Sequence, residues 1–133
     1  MITAVDSSVL LDVLTGDAGH GPASARALRQ AGVEGALIGS TVVWAEVVGA
    51  YSDPRGVTDR LDRLEIELVS DNQEVAITAG RVYRAYRVSG GTRRRILPDF
   101  LIGAHAMVHA DRLLTRDRGF YRAQFSRLNI IQP

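Results

Sequence analysis

The sequence predicts an α/β domain whose parallel sheet is covered by helices on both faces, and two observations carry that prediction. Five short apolar runs recur at strand length, and the segments between them have helical periodicity. Parallel neighbours need crossover connections, so strands alternating with helices point to a parallel sheet. The 133 residues suit one domain, taken as 1–133 and large enough to bury roughly two-thirds of its unfolded surface. No repeat, linker or low-complexity tract divides the chain.

The first strand is "ITAV", residues 2–5, followed directly by Asp6 and a helix from Ser7. "PASARALRQAG" is a second helix, with Pro22 at its start and Gly32 at its end. After the strand "ALIG" comes "STVVWAEVVGAY", a Ser/Thr cap followed by an apolar stripe, and then "VTDRLDRL", whose leucines keep to one side. The strand "IELV", residues 66–69, leads into the longest helix. That helix opens on Asp71 with Glu74 three residues later, a capping box, and closes on Gly90 and Gly91. "PDFLIGAHAMVHA" is the last clear helix, and "RLLT" and "LNII" are the last strands.

Composition excludes several chemistries. Cysteine is absent, which removes disulfides, thiolate metal sites and cysteine nucleophiles and fits a reducing compartment. All sixteen basic residues are arginine. With no lysine there is no Schiff-base lysine, Ser-Lys dyad, phosphate-loop lysine or phosphoryl-receiver lysine. The longest uncharged stretch, "GALIGSTVVWA", falls short of the ~18 residues of a membrane span. The N-terminus has acids and no basic n-region, so a cytoplasmic protein without membrane association is expected. At a net charge of +1, attraction to nucleic acid must come from where the arginines lie.

In a parallel sheet, ligands bind beyond the carboxyl ends of the strands, where strand order reverses. Asp6 stands at such an end, and Asp117 in "LLTRDRGF" falls just past another. Glu46 interrupts an otherwise apolar helix, a position that costs several kcal/mol unless the charge is paired or bound to a cation. Asp99 lies in a first helical turn, where the dipole favours an anion. Singly, Asp6 and Asp99 read equally well as caps and Asp117 as a turn residue. Jointly, converging carboxylates repel unless a cation sits among them, and oxygen ligands without His or Cys suit magnesium or manganese. If the four share a cavity, Asp117 adds to a repulsion that opposes folding of the metal-free chain. A turn residue would instead stabilise it.

"VDSSVLLDVL", "STVVWAEVV", "PDFLIGAHA" and "LLTRDRGF" resemble, in order, the four acidic motifs of the PIN-domain family, over nearly the whole chain. Spacing and length are most similar to the VapC-type toxins of bacterial toxin-antitoxin pairs. The resemblance implies a three-layer α/β/α sandwich with a mostly parallel sheet, acting as a Mg2+- or Mn2+-dependent endoribonuclease. It implies that Asp6, Glu46, Asp99 and Asp117 are the metal-binding carboxylates, with Thr115 and Ser7 the hydroxyl residues beside the last and first acids. It also implies a cognate antitoxin partner and a homodimer. No acid of the set is missing, so an inactive copy is not expected. The chemistry is plausible in its own right, since metal ions can activate water and neutralise charge in phosphodiester hydrolysis.

The remaining residues sort by chemistry. His105 and His109 have the spacing of a helical zinc pair but lack the glutamate of H-E-x-x-H and point away from Asp99. No G-x-S-x-G elbow supports a serine hydrolase. Asp12 is expected in solvent or paired with an arginine. Arg93, Arg94 and Arg95 lead into Asp99, which makes them candidates for RNA phosphate contact. Arg81, Arg84 and Arg87 share a helix side. Tyr83 and Tyr86 could stack bases, although helical tyrosines more often pack, and Trp44 reads as core. Two rival functions keep the same acids: a structure-selective DNA nuclease, and a non-enzymatic module that receives a partner's arginines.

Overall fold

The computed structural model describes residues 1–92 and 95–133. Its centre is a five-stranded, wholly parallel sheet of β1 (Ile2–Val5), β2 (Ala36–Gly39), β3 (Ile66–Leu68), β4 (Arg112–Leu114) and β5 (Asn129–Ile131), in spatial order β3-β2-β1-β4-β5. The five predicted strands are all present, with Val69, Thr115 and Leu128 one residue outside them. Two of those residues keep ladder contact through their N–H groups, Val69 to the Gly39 carbonyl (3.0 Å) and Thr115 to that of Ile131 (3.1 Å). β1 is central and buried almost throughout, which is why "ITAV" carries no charge.

Seven helices flank the sheet among the described residues: α1 (Ser7–Thr15), α2 (Gly21–Glu34), α3 (Thr41–Gly49), α4 (Pro54–Arg63), α5 (Gln73–Val88), α6 (Leu97–His109) and α7 (Phe120–Gln124). The chain steps outward from β1 to β3, then crosses back to β4 beside β1 and continues to β5. Right-handed crossovers in these two directions place α1 to α4 on one face and α5 to α7 on the other, the α/β/α sandwich expected. The reversal between β1 and β4 is the switch point. None of the described helices is long and apolar enough to cross a membrane.

Two local expectations are corrected, and one helix is added. α2 runs past Gly32 to Glu34, because Glu34 accepts from Gln30 Nε2 (2.7 Å) and pairs with Arg112 of β4, which fastens the last turn to the sheet. The cap of α5 is Asn72 rather than Asp71: its Oδ1 accepts the Val75 N–H at 2.9 Å, leaving Glu74 in the first turn near the positive end of the dipole. α7 is too short to show a period and was not legible.

An aromatic cluster locks the second helical layer. Fully buried Phe100 of α6 meets Tyr83 and Tyr86 of α5 with ring centroids 5.0 and 5.3 Å away, and Phe120 of α7 at 5.1 Å. Burying a ring of this size contributes roughly 1.5–3 kcal/mol. The two tyrosines are therefore packing residues, and Tyr86 donates its hydroxyl to the Thr92 carbonyl (2.7 Å). Gly103 makes the fit possible, since a Cβ there would run into the Phe125 ring. The result holds the starts of α6 and α7 against the switch point.

Candidate active site

Asp6 leaves β1 in extended conformation and caps α1: its Oδ1 accepts the Ser7 N–H at 2.8 Å. Its Oδ2 accepts the Thr115 hydroxyl (2.6 Å) and the Ser8 hydroxyl (3.1 Å). The residue is 7 % exposed, and among the described residues no arginine reaches it. Burial pushes its pKa up, and Asp117 nearby adds to that. The hydroxyls of Thr115 and Ser8 and the Ser7 N–H pull against them without winning.

Thr115, just past β4, is completely buried and serves both acids of the switch point. While it donates to Asp6, its Oγ1 accepts the Asp117 N–H at 3.0 Å. Asp117 in turn closes the chain into α7, with Oδ1 accepting the N–H groups of Gly119 (3.0 Å) and Phe120 (2.8 Å). Its Oδ2 accepts from Arg95 Nη2 at 2.6 Å. Burial alone would raise the Asp117 pKa, but those two N–H groups and the guanidinium outweigh it and hold the carboxyl below its ordinary range. The repulsion expected of Asp117 is thus offset from within the chain. As an anion it is fastened like the turn residue of the alternative reading.

Asp99 sits in the first turn of α6, where its Oδ2 accepts the Ile96 N–H at 3.2 Å. Its Oδ1 lies 3.9 Å from Arg95 Nη1. Glu46 corrects an expectation. α3 buries Val43 and Val47, while Glu46 lies on its exposed flank, so the charge does not interrupt a buried stripe. Its carboxyl end is nevertheless sheltered, receiving the Ser7 hydroxyl at Oε1 (3.1 Å). Burial first, and then Asp6 and Asp99, push its pKa up, while the Ser7 hydroxyl pulls it back without winning.

Asp6, Glu46, Asp99 and Asp117 line one cavity of about 280 Å³, with Ser7, Ser8, Arg95, Ile102, Arg116 and Tyr121 completing it. Cap and cavity wall are not alternatives here, because all three aspartates do both. Sequence reasoning missed Ser8, Arg116 and Tyr121. Ser8 could have been read from the second hydroxyl of "VDSS", one position past Ser7. Tyr121 is almost fully buried in the unread α7, and burial followed by the three aspartates pushes its hydroxyl pKa far up, so it stays protonated. Arg116 grips Asp12 of α1 through Nε (2.7 Å) and Nη2 (3.1 Å), which settles Asp12 as an arginine partner. Arg93 and Arg94 lie outside the described residues. Arg95, expected to face RNA phosphate, instead turns inward onto Asp99 and Asp117.

His105 is buried with Nε2 at 2.8 Å from the Val69 carbonyl and does not line the cavity of the four acids. Among the described residues no three carboxylates or imidazoles stand close enough to hold a metal ion as placed. The donor set itself fits a hard divalent ion: four carboxylates, one buried with no cation beside it among the described residues and one whose pKa is raised by burial and then by Asp6 and Asp99. They do not close on a common point, and Arg95 draws two of them to itself.

Comparison with known proteins agrees with this architecture. The family model described as PIN domain matches residues 3–126. Among solved structures, the chain is similar to VapBC2 from Rickettsia felis bound to a DNA fragment from their promoter, at 17% identity and a TM-score of 0.76, covering 99% of this chain and 98% of that one. A toxin-antitoxin complex from Klebsiella pneumoniae matches at 19% identity and a TM-score of 0.68 (97% and 95% covered), and FitAcB from Neisseria gonorrhoeae at 20% and 0.71 (98% and 96% covered). No curated protein matches the chain in sequence.

Proposed function

This chain belongs to the PIN-domain family, and from that premise we propose that it is a metal-dependent endoribonuclease of the VapC toxin type. The observation that carries the reading is the convergence of Asp6, Glu46, Asp99 and Asp117, from four separate segments, on one cavity at the switch point between β1 and β4. These four would hold Mg2+ or Mn2+. Such an ion supplies Lewis-acid stabilisation of the charge that builds on a phosphodiester and acidifies an attacking water.

The chain's own groups have derivable tasks. Thr115 and Ser8 aim the Asp6 carboxylate by their hydroxyls, and Ser7 ties Asp6 to Glu46. Glu46 stands on the exposed rim with a raised pKa, suited to taking a proton from water entering there. Tyr121, kept protonated, offers a neutral donor on the cavity wall. RNA is proposed as substrate, with Arg93, Arg94 and Arg95 as its proposed phosphate contacts. An antitoxin partner, a homodimer and a cytoplasmic setting complete the proposal. The partner is supported by the similarity to VapBC and toxin-antitoxin structures.

The test is cleavage of a single-stranded RNA and a matched DNA by the purified chain. RNA cutting is expected with manganese, lost in chelator, and reduced on the order of a hundred-fold or more by Asp99→Ala. Cutting of DNA alone would return the DNA-nuclease reading. No cutting of either, with manganese leaving the melting temperature unmoved, would leave an interaction module.

A further inference from the structure

Arg95 is the one guanidinium that, among the described residues, reaches two of the four acids. Its Nη2 is 2.6 Å from Asp117 Oδ2, and its Nη1 is 3.9 Å from Asp99 Oδ1. Its guanidinium carbon lies 4.5 Å from the centre of the Phe120 ring. The two acids come from the start of α6 and from the turn before α7, and this side chain links the two segments. It sits where positive charge is most needed.

The pairing is nevertheless built to open. The Arg95 side chain is 34% exposed, and ion pairs reachable by water are weak and screened by salt. The contact to Asp99 is long and not forked, so one of the two acids is held by charge alone. A divalent ion brings twice the charge of a guanidinium to the same oxygens. The Phe120 face, lying beneath the guanidinium, still attracts it after the carboxylates are taken.

We infer that Arg95 is an exchangeable internal cation: it holds Asp99 and Asp117 while the site is metal-free, a divalent ion displaces it, and the freed guanidinium stays beside the cavity to meet substrate phosphate. The inference rests on the metal-site reading above and adds a residue to it. Arg95 and the ion compete for the same carboxylates, so each weakens the other's hold by the same factor. The inward turn of an arginine expected to face RNA then has a cause. Guanidinium and phosphate can pair only once the acids have another partner.

The experiment titrates Mn2+ calorimetrically into the full chain as wild type, Arg95→Ala, Arg95→Gln and Arg118→Ala at one ionic strength, with melting curves in chelator and in manganese. Arg118 is exposed on the same turn and controls for removing one positive charge near the site. Both Arg95 variants are expected to bind Mn2+ about five-fold tighter or more, against a change of about two-fold or less for Arg118→Ala. They should also melt lower than wild type in chelator and gain more from manganese. Equal affinity for Arg95→Ala and Arg118→Ala would overturn the exchange and leave the metal site standing. Weaker binding by both Arg95 variants would overturn it in favour of Arg95 as an organiser of the acids. Absence of Mn2+ binding in all four chains would remove the metal reading and the exchange with it.

Discussion

Asp6 and Asp12 are two buried aspartates on one strand-helix unit, six residues apart, 7 % and 4 % exposed, and their surroundings are opposite. Asp12 receives a two-pronged guanidinium from Arg116 and the hydroxyl of buried Ser24 at 2.7 Å. Asp6 receives three hydroxyls, those of Thr115, Ser8 and at 3.4 Å Ser7, one N–H and, among the described residues, no cation, with Asp117 adding like charge. Burial alone therefore does not separate a structural acid from a functional one. What differs between these two is whether the chain itself supplies the counter-charge: Arg116 for Asp12, and none for Asp6 among the described residues. The two are also joined. The Arg116 N–H donates to Ser8 Oγ (3.3 Å), and that hydroxyl donates to Asp6, so the satisfied pair braces the unsatisfied acid.

The strongest break of this comparison exchanges the two phenotypes. Asp6→Asn should lose RNA cleavage on the order of a hundred-fold or more while the metal-free chain melts no lower than wild type. Asp12→Asn should keep cleavage within about ten-fold wherever the chain is folded, yet lose about 2–3 kcal/mol of stability. That is less than the ~3–5 kcal/mol of a fully buried pair, because Arg116 is more than a third exposed. Cleavage assays and urea denaturation of the two variants decide it. If Asp12→Asn loses activity without losing stability, Asp12 belongs to the chemistry and the division fails.

A smaller effect comes from the hydroxyls. Thr115→Val preserves shape while removing a donor to Asp6 and an acceptor for the Asp117 N–H, and should cost about 1.5–3 kcal/mol. Ser24→Ala removes one donor from Asp12, which keeps its guanidinium, and should cost about 1 kcal/mol. Denaturation midpoints at neutral pH give the difference. Equal costs would mean that Asp6 leans on its hydroxyls no more than Asp12 does.

What was legible in the sequence follows from range. The strands, the alternation and hence the edge where Asp6 and Asp117 end up are written in short windows, and the order of four acids made the set recognisable. Glu46 was found for a partly wrong reason: its helix is apolar nearly all round, so the periodic pattern could not tell that its flank faces solvent. The pairings that define the site were out of reach. Arg116 meets Asp12 across 104 positions and Arg95 meets Asp117 across 22, and no local pattern names the partner. Asp71 and Asn72 both suit a cap, and only the backbone entering α5 chooses between them. Tyr121 rides on a five-residue helix without a period of its own.

The smallest expected effect is a slope against pH, and it tests the missing counter-charge directly. The folded Asp6 carboxyl has a pKa raised above its ordinary 3.8, so between that value and the raised one the native chain binds more protons than the unfolded chain. Stability then falls as pH climbs through this window, and the loss is complete above it. Glu46, raised from 4.5 by burial and by Asp6, adds a loss of the same sign just above. Asp117 acts oppositely and elsewhere: lowered from 3.8, it contributes stability above that value which is lost as pH falls beneath it. Asp6→Asn removes the first contribution and relaxes the second, so its melting temperature in chelator should fall less than that of wild type as pH rises from about 4 to 7. Asp12 has its cation, and Asp12→Asn should lower melting throughout that range without erasing the wild-type fall. Melting curves of the three chains at half-unit steps of pH are the measurement. If Asp6→Asn keeps the full wild-type fall, Asp6 is an ordinary helix cap whose hydroxyl donors suffice, and the contrast with Asp12 loses its electrostatic basis.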